Sequence, residues 1–261
     1  SRYYRLVPLG ADIEGAKEYG ITSDDIFYLE EMPKRLVVAG VGFIGLEFAG
    51  IFNQLGAQVD VIYRRDKILN EGFDKDVRVF LHNEMCKKGI NFHQETNITK
   101  VEKTDEGVRV HLDDGTSIDA DQVLFATGRK PNTDGLGLDE VGVKMAKNGA
   151  VIVDKEEQTC VPSIYAVGDV IDRVALTPVA LAEGHALVDR LYGDKNRCVS
   201  YDNIPSAVFS NPNVSHVGLT EDQAREKFGD DIDIYRSEFR AMKMILANSD
   251  ERTLMKLIVQ R

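Results

Sequence analysis

An α/β fold follows from three features of this 261-residue chain. First, the apolar run Leu36-Val37-Val38-Ala39 leads into Gly40, Gly42 and Gly45 in G-x-G-x-x-G spacing, and a helix-like apolar run follows. Second, strand-like and helix-like stretches then alternate, the order that builds a parallel sheet. Third, from about residue 98 the apolar period changes from a helical one to two, the pattern of an antiparallel meander.

Residues 1–33 read as a lead-in, with Gly10, Gly15 and Gly20 as punctuation and Thr22-Ser23-Asp24-Asp25 as a cap before Ile26-Phe27-Tyr28-Leu29. Met32-Pro33 breaks the chain ahead of the first strand, 36–39. A helix over 43–55 is expected from Phe43, Ile44, Leu46, Phe48, Ala49, Ile51, Phe52 and Leu55, with Gly56 ending it. A strand over 58–63 completes a β-α-β unit. Asp74 is placed to cap a helix through Val77, Phe80, Leu81 and Met85, stopped by Gly89, with a strand at Ile90-Asn91-Phe92. The meander runs through Ile98–Val101, Val108–Leu112 and Ser117–Ala120, with turns at Asp105-Glu106-Gly107 and Asp113-Asp114-Gly115. Val123-Leu124-Phe125-Ala126, apolar throughout, is expected to rejoin the buried parallel sheet.

The texture then changes to loops. Short strands are expected at Val151–Asp154 and Ile164–Asp169, and a helix from Thr177-Pro178 to Gly193. Further on, Ala207-Val208-Phe209 and Leu254–Val259 read as strands, and Thr220-Glu221-Asp222-Gln223 as a capping box. The last strand has no partner after it, so the final domain reads as cut short.

The glycine spacing gives the first chemical expectation. Gly40 permits the tight turn, Gly42 lets backbone approach a pyrophosphate, and Gly45 lets helix and strand pack closely. The pyrophosphate would rest on the helix N-terminus, where free N–H groups and the dipole favour an anion. The ribose acceptor belongs near the tip of the second strand. Asp60 has about the right count but lies mid-strand; the tip is Tyr63, followed at once by Arg64 and Arg65. Guanidinium groups suit a 2′-phosphate, so the expectation is NADP(H) rather than NAD(H).

Composition bounds the rest. At 43% hydrophobic and 29% charged residues the chain is of globular type, and its net charge of −11 argues against a nucleic-acid partner. No apolar run approaches a membrane span, and no secretory signal opens the chain. Cys86, Cys160 and Cys198 are far apart, which fits a reducing cytoplasm without a disulfide framework. His82, His93, His111, His185 and His216 show no metal-ligand spacing.

Four ordered stretches carry a family resemblance: Gly40-Val41-Gly42-Phe43-Ile44-Gly45-Leu46-Glu47, Phe125-Ala126-Thr127-Gly128-Arg129-Lys130-Pro131-Asn132, Ile164-Tyr165-Ala166-Val167-Gly168-Asp169-Val170 and Leu176-Thr177-Pro178-Val179-Ala180. With these the chain resembles the flavoprotein disulfide reductases, and within them the glutathione reductase type of bacteria and plants. The resemblance implies four segments: a lead-in from an FAD domain (1–33), an NADP(H)-binding Rossmann-like domain (34–129), a second segment of the FAD domain (130–200) and the start of an α+β dimer-interface domain (201–261). It implies that Gly40, Val41, Gly42 and Gly45 cradle the NADPH pyrophosphate. Phe43, where the family usually has tyrosine, would cover the nicotinamide pocket and Ile44 would line it. Glu47 would stand beside the nicotinamide.

Arg64 matches a phosphate-binding arginine. A second arginine is expected where this chain has Asn70, and Arg65 stands as its substitute. Gly128 and Arg129 would lie between nicotinamide and flavin. Gly168 and Asp169 would meet the FAD ribityl chain, and Thr177 would aim a helix N-terminus at the flavin pyrimidine edge. The family's C-x-x-x-x-C redox pair and its C-terminal His-Glu pair are not in the chain. The expected parent activity is therefore NADPH-dependent reduction of glutathione disulfide by a homodimer, and the expected activity of this chain alone is NADPH binding. Trypanothione, mercuric and lipoamide-type enzymes, and a non-catalytic nucleotide-binding fragment, are the alternatives.

Overall fold

A computed structural model of the protein describes residues 4–6, 13–193 and 195–261. The elements in the first half are β1 (Tyr4–Leu6), α1 (Ala16–Tyr19), β2 (Arg35–Ala39), α2 (Phe43–Gln54), β3 (Gln58–Ile62), α3 (Lys75–Lys87), β4 (Asn91–His93), β5 (Ile98–Thr104), β6 (Gly107–Leu112), β7 (Ser117–Ala120) and β8 (Gln122–Phe125). After them come β9 (Arg129–Pro131), α4 (Thr177–Tyr192), β10 (Ser206–Val208), β11 (Val214–His216), α5 (Glu221–Phe228), β12 (Ile232–Phe239), α6 (Met242–Leu246) and β13 (Thr253–Gln260). The chain forms two compact units. One joins Pro8–Thr127 to Asn203–Arg261, and the other joins Ser1–Val7 to Gly128–Asp202.

The first unit is organised by a parallel sheet in the order β4-β3-β2-β8. Side chains of a strand point alternately to its two faces. Leu36, Val38, Val59, Val61 and Leu124 therefore face one way and pack on Leu46, Phe48, Ala49, Phe52, Leu81 and Met85 of α2 and α3. Val37, Ala39, Ile62, Val123 and Phe125 face the other way, onto Val101, Val108, Val110, Leu112 and Ala120 of the β5-β6-β7 meander. Both faces are covered, which is why Leu36–Ala39 and Val123–Phe125 carry no polar alternation. Residues 13–33 belong to the same unit. Asp25 accepts bonds from the Thr22 amide and hydroxyl and precedes a 3-10 turn, Ile26–Tyr28. Ile21 pairs with Val123 and Phe125 along the free side of β8.

In the C-terminal segment β12 and β13 form an antiparallel pair of eight residues each, so the last strand is partnered by the one before it. Thr220 makes the expected capping box, with its side chain taking the Gln223 amide and the Gln223 side chain taking the Thr220 amide. Asp74 sits at the N-cap of α3 but its carboxylate makes no capping bond. It accepts instead from the Glu221 amide at 2.7 Å and pairs with Lys256 at 3.2 Å.

The second unit corrects two expectations. Val151–Asp154 and Ile164–Asp169 are not strands: Val151 and Tyr165 make only single bridges, to Met145 and Gln158. Their apolar residues do go inward, to a small cluster around Val143, Val151 and Ile171. Ala166 N–H to Glu157 and Thr159 N–H to Ile164 flank the single Gln158–Tyr165 bridge, and the pairing does not extend into a strand. Gly168–Ile171 is a 3-10 turn, and α4 begins at Thr177 as expected, with Pro178 in its first turn.

Candidate functional site

The glycine turn connects β2 to α2. Gly40 has φ +111°, which a side chain would rarely tolerate, and a Cβ there would lie 2.5 Å from the Ala126 carbonyl oxygen. A Cβ on Gly45 would lie 2.2 Å from the Gly40 carbonyl oxygen, so α2 can approach the turn only because this residue is glycine. Gly42 differs from both. It is the N-cap of α2 with φ −70°, and a Cβ on it would meet no protein atom within 4 Å. The space above Gly42 and the unpaired first amides of α2 thus face outward together. A pyrophosphate fits this cradle: it needs N–H donors, positive dipole and bare backbone in one place.

Phe43 opens α2 and is 51% exposed; Ile44 is half-buried against the core. Glu47, one turn along, is half-buried, and its carboxylate accepts the Phe209 amide at 2.9 Å. Phe209 is itself 69% exposed. The bond ties Glu47 of α2 to the segment after β10, and the rings of Phe43 and Phe209 are both exposed.

Past β3, Tyr63 turns into the core, 5% exposed, and burial followed by the nearby Cys86 and Glu95 pushes its pKa up to about 12. Its hydroxyl therefore does not stand where a ribose would. Asp60 is also engaged, bonded to His93 at 2.8 Å, so it too is no ribose acceptor. Arg64 and Arg65 are exposed and make no ion pair among the described residues. Asn70 spends its side-chain oxygen on the Gly72 amide. The residue at the tip of β3 is therefore no carboxylate, and two exposed arginines follow it before Asp66 and Lys67, which pair with each other.

The remaining predicted residues lie in the other unit. Gly128 and Arg129 lead into β9, which pairs Arg129 with Leu6. Gly168 is buried with φ +73°, Asp169 is half-buried in the 3-10 turn, and Thr177 is exposed at the first turn of α4. One residue here escaped sequence reasoning. Glu183, 1% exposed on α4, accepts the Gly168 amide at 2.5 Å and the Tyr201 hydroxyl at 2.7 Å. It pins the Gly168-Asp169 turn to the helix. An acidic residue inside an apolar helical stripe was the available signal. Glu157, also 1% exposed, pairs with Arg190 and lies 3.7 Å from Arg173. His185 is exposed, and among the described residues no His, Cys, Asp or Glu cluster could hold a metal.

Comparisons with known proteins agree with this geometry. A family profile described as "Pyridine nucleotide-disulphide oxidoreductase" matches residues 5–184, and the dimerisation domain of the same family matches residues 204–261. The glutathione reductase of Nostoc sp. is 45% identical over 97% of this chain and 57% of its own length. The chloroplastic/mitochondrial glutathione reductase of Pisum sativum is 47% identical over 97% of this chain and 45% of its own length. The trypanothione reductase of Leishmania donovani is 41% identical over 93% of this chain and 50% of its own. The chain thus spans about half the length of the curated relatives it matches. Among solved structures, the HOCl-induced flavoprotein disulfide reductase RclA from Escherichia coli superimposes with a TM-score of 0.89 at 28% identity, covering 100% of this chain and 59% of that one. The chain belongs to the pyridine nucleotide-disulphide oxidoreductase family.

Proposed function

We propose that this chain carries the NADPH-binding domain, one FAD-binding segment and the start of the dimer interface of a glutathione reductase-like enzyme. The observation that carries the reading is the pairing of an open Gly42 cradle with Arg64 and Arg65 at the tip of β3. The pyrophosphate would lie on α2 with Gly40, Val41 and Gly42, and a 2′-phosphate would take charge-assisted bonds from the two arginines. At a net charge of −11 the chain repels an anion at long range, so these local cations are needed for binding. Phe43, Ile44 and Glu47 would orient the nicotinamide, and Gly128 and Arg129 would stand between it and the flavin.

On the flavin side, Glu183 holds the Gly168-Asp169 turn so that Asp169 can accept a ribityl hydroxyl. The dipole of the sixteen-residue α4 stabilises negative charge at its Thr177 end. The bound flavin supplies the relay of electrons from a nicotinamide to a disulfide. The parent enzyme is read as a cytoplasmic homodimer acting on glutathione disulfide. Trypanothione disulfide is the second reading, favoured by the 41% identity to the Leishmania enzyme. A lipoamide-type enzyme is disfavoured, because position 63, at the tip of β3, is tyrosine and not an acid. This chain alone, without the redox cysteine pair, is expected to bind nucleotide and reduce nothing.

Paired calorimetric titrations with NADPH and NADH at two salt concentrations test the proposal. The expected result is an NADPH preference of at least about tenfold that weakens with salt and is lost in Arg64→Ala. Equal or tighter NADH binding would remove the 2′-phosphate assignment. Turnover of glutathione disulfide by this chain would remove the assignment of catalysis to the parent.

A further inference from the structure

The loop between β3 and α3 carries Arg64 and Arg65, yet its shape is set elsewhere. Three observations converge on one peptide group, the one joining Ile68 to Leu69. Its carbonyl oxygen accepts the Arg78 Nε–H at 2.7 Å. Its N–H donates to the Val41 carbonyl at 2.8 Å, inside the glycine turn. The Leu69 residue that follows has φ +58°, a left-handed conformation that costs a leucine on the order of 1–2 kcal/mol. Both side chains of the pair are buried in the core, which holds the peptide in place. Arg78 is itself 8% exposed on α3, where burial lowers its pKa, Glu71 acts to raise it and Arg65 to lower it.

A buried arginine that forms no ion pair among the described residues is unusual, because a desolvated cation ordinarily needs a paired anion. Here its Nε–H is given to one backbone carbonyl in the loop that also carries the exposed arginines. Once that bond is removed, the carbonyl loses its donor, and Leu69 can relax to negative φ. The chain direction on the arginine side would then change. The glycine turn, held by its own strand and helix packing, would not.

We infer that Arg78 is the positioning residue for 2′-phosphate selectivity: it locks the Ile68–Leu69 peptide against the glycine turn and so sets where Arg64 and Arg65 stand relative to the pyrophosphate cradle. The inference rests on the NADPH reading above and names the residue that makes it geometric. Arg78 touches no nucleotide; it acts through the loop.

The test is the ratio of NADH to NADPH dissociation constants, measured by calorimetry on the full chain for wild type, Arg78→Met and Arg78→Gln. Positioning predicts that NADPH affinity falls by about tenfold or more while NADH affinity stays within about twofold, so the ratio collapses toward one. A general structural role predicts that both nucleotides weaken together and the ratio stays at the wild-type value. That result in either variant, with folding verified by circular dichroism, overturns the inference. If Arg78→Met does not fold, the same ratio in Arg78→Gln decides. A wild-type ratio near one would overturn the NADPH reading itself and this inference with it. A wild-type preference retained in the Arg78 variants would overturn the inference alone.

Discussion

At the scale of residues, the three glycines of the fingerprint are not equivalent, and substitution separates them. Gly45→Ala would force a methyl to 2.2 Å from a backbone oxygen, so it should destabilise the chain by about 3 kcal/mol or prevent folding. Gly42→Ala meets no protein atom and keeps an ordinary φ, so its melting temperature should change little, within about 1 kcal/mol in stability. Its NADPH affinity should nonetheless fall by at least about tenfold, because the new methyl occupies the ligand's space. Thermal melts and calorimetry on the two variants check both statements; a Gly42→Ala chain that binds normally would remove the cradle. The fingerprint itself was legible in the sequence because spacing alone encodes it. Arg78 and Glu183 were not, since a charged residue reads as solvated until its burial is known. Asp60 has the residue count of a ribose acceptor, but its carboxylate is bonded to His93, a contact that spacing alone does not reveal.

At the scale of elements, the sequence was most informative where burial repeats. The alternation in β5–β7 and the unbroken apolar runs of β2 and β8 each name their surroundings, and the sheet follows. It was least informative in residues 130–171, where apolar side chains feed a small cluster and, past β9, the backbone pairs only in isolated bridges. What ties the C-terminal segment to α3 was also hidden. Lys256 on β13, with its side chain 7% exposed, contacts Asp74 at 3.2 Å, Asp76 at 3.0 Å and Glu221 at 2.8 Å, joining the starts of α3 and α5. Burial works against its charge, but the bonds from Glu221, Asp76 and Asp74 prevail and raise its pKa. Lys256→Met would leave three neighbouring carboxylates without their shared buried cation, with only Arg225 beside Glu221 and Arg236 beside Asp76. The expected loss is about 3 kcal/mol by denaturant unfolding. Full stability in that variant would show the hub to be dispensable.

At the scale of the whole molecule, these groups set how stability responds to pH. Tyr63 and Lys256 both hold their protons more tightly when folded than when unfolded. Their contributions are therefore complete below about pH 10 and fade as pH rises, because the unfolded chain gives up those protons first. Glu221 has the opposite sign: its bonds to Lys256 and Arg225 lower its pKa, so its contribution is lost as pH falls through the carboxylate range. Denaturant midpoints measured from pH 9 to pH 11 should decline in the wild type, and decline less steeply in Tyr63→Phe; equal slopes would contradict the assignment. The bond from Glu47 to the Phe209 amide joins residues 162 positions apart, and the Lys256–Asp76 bond joins residues 180 apart. The stretch 128–202, between these partners, belongs to the other compact unit. During synthesis on the ribosome, then, the glycine turn and its helix emerge first, and the carboxylate beside them stays without its amide until about 160 residues later, when the chain has returned. The order of translation makes the parallel sheet before it can close the Glu47–Phe209 contact.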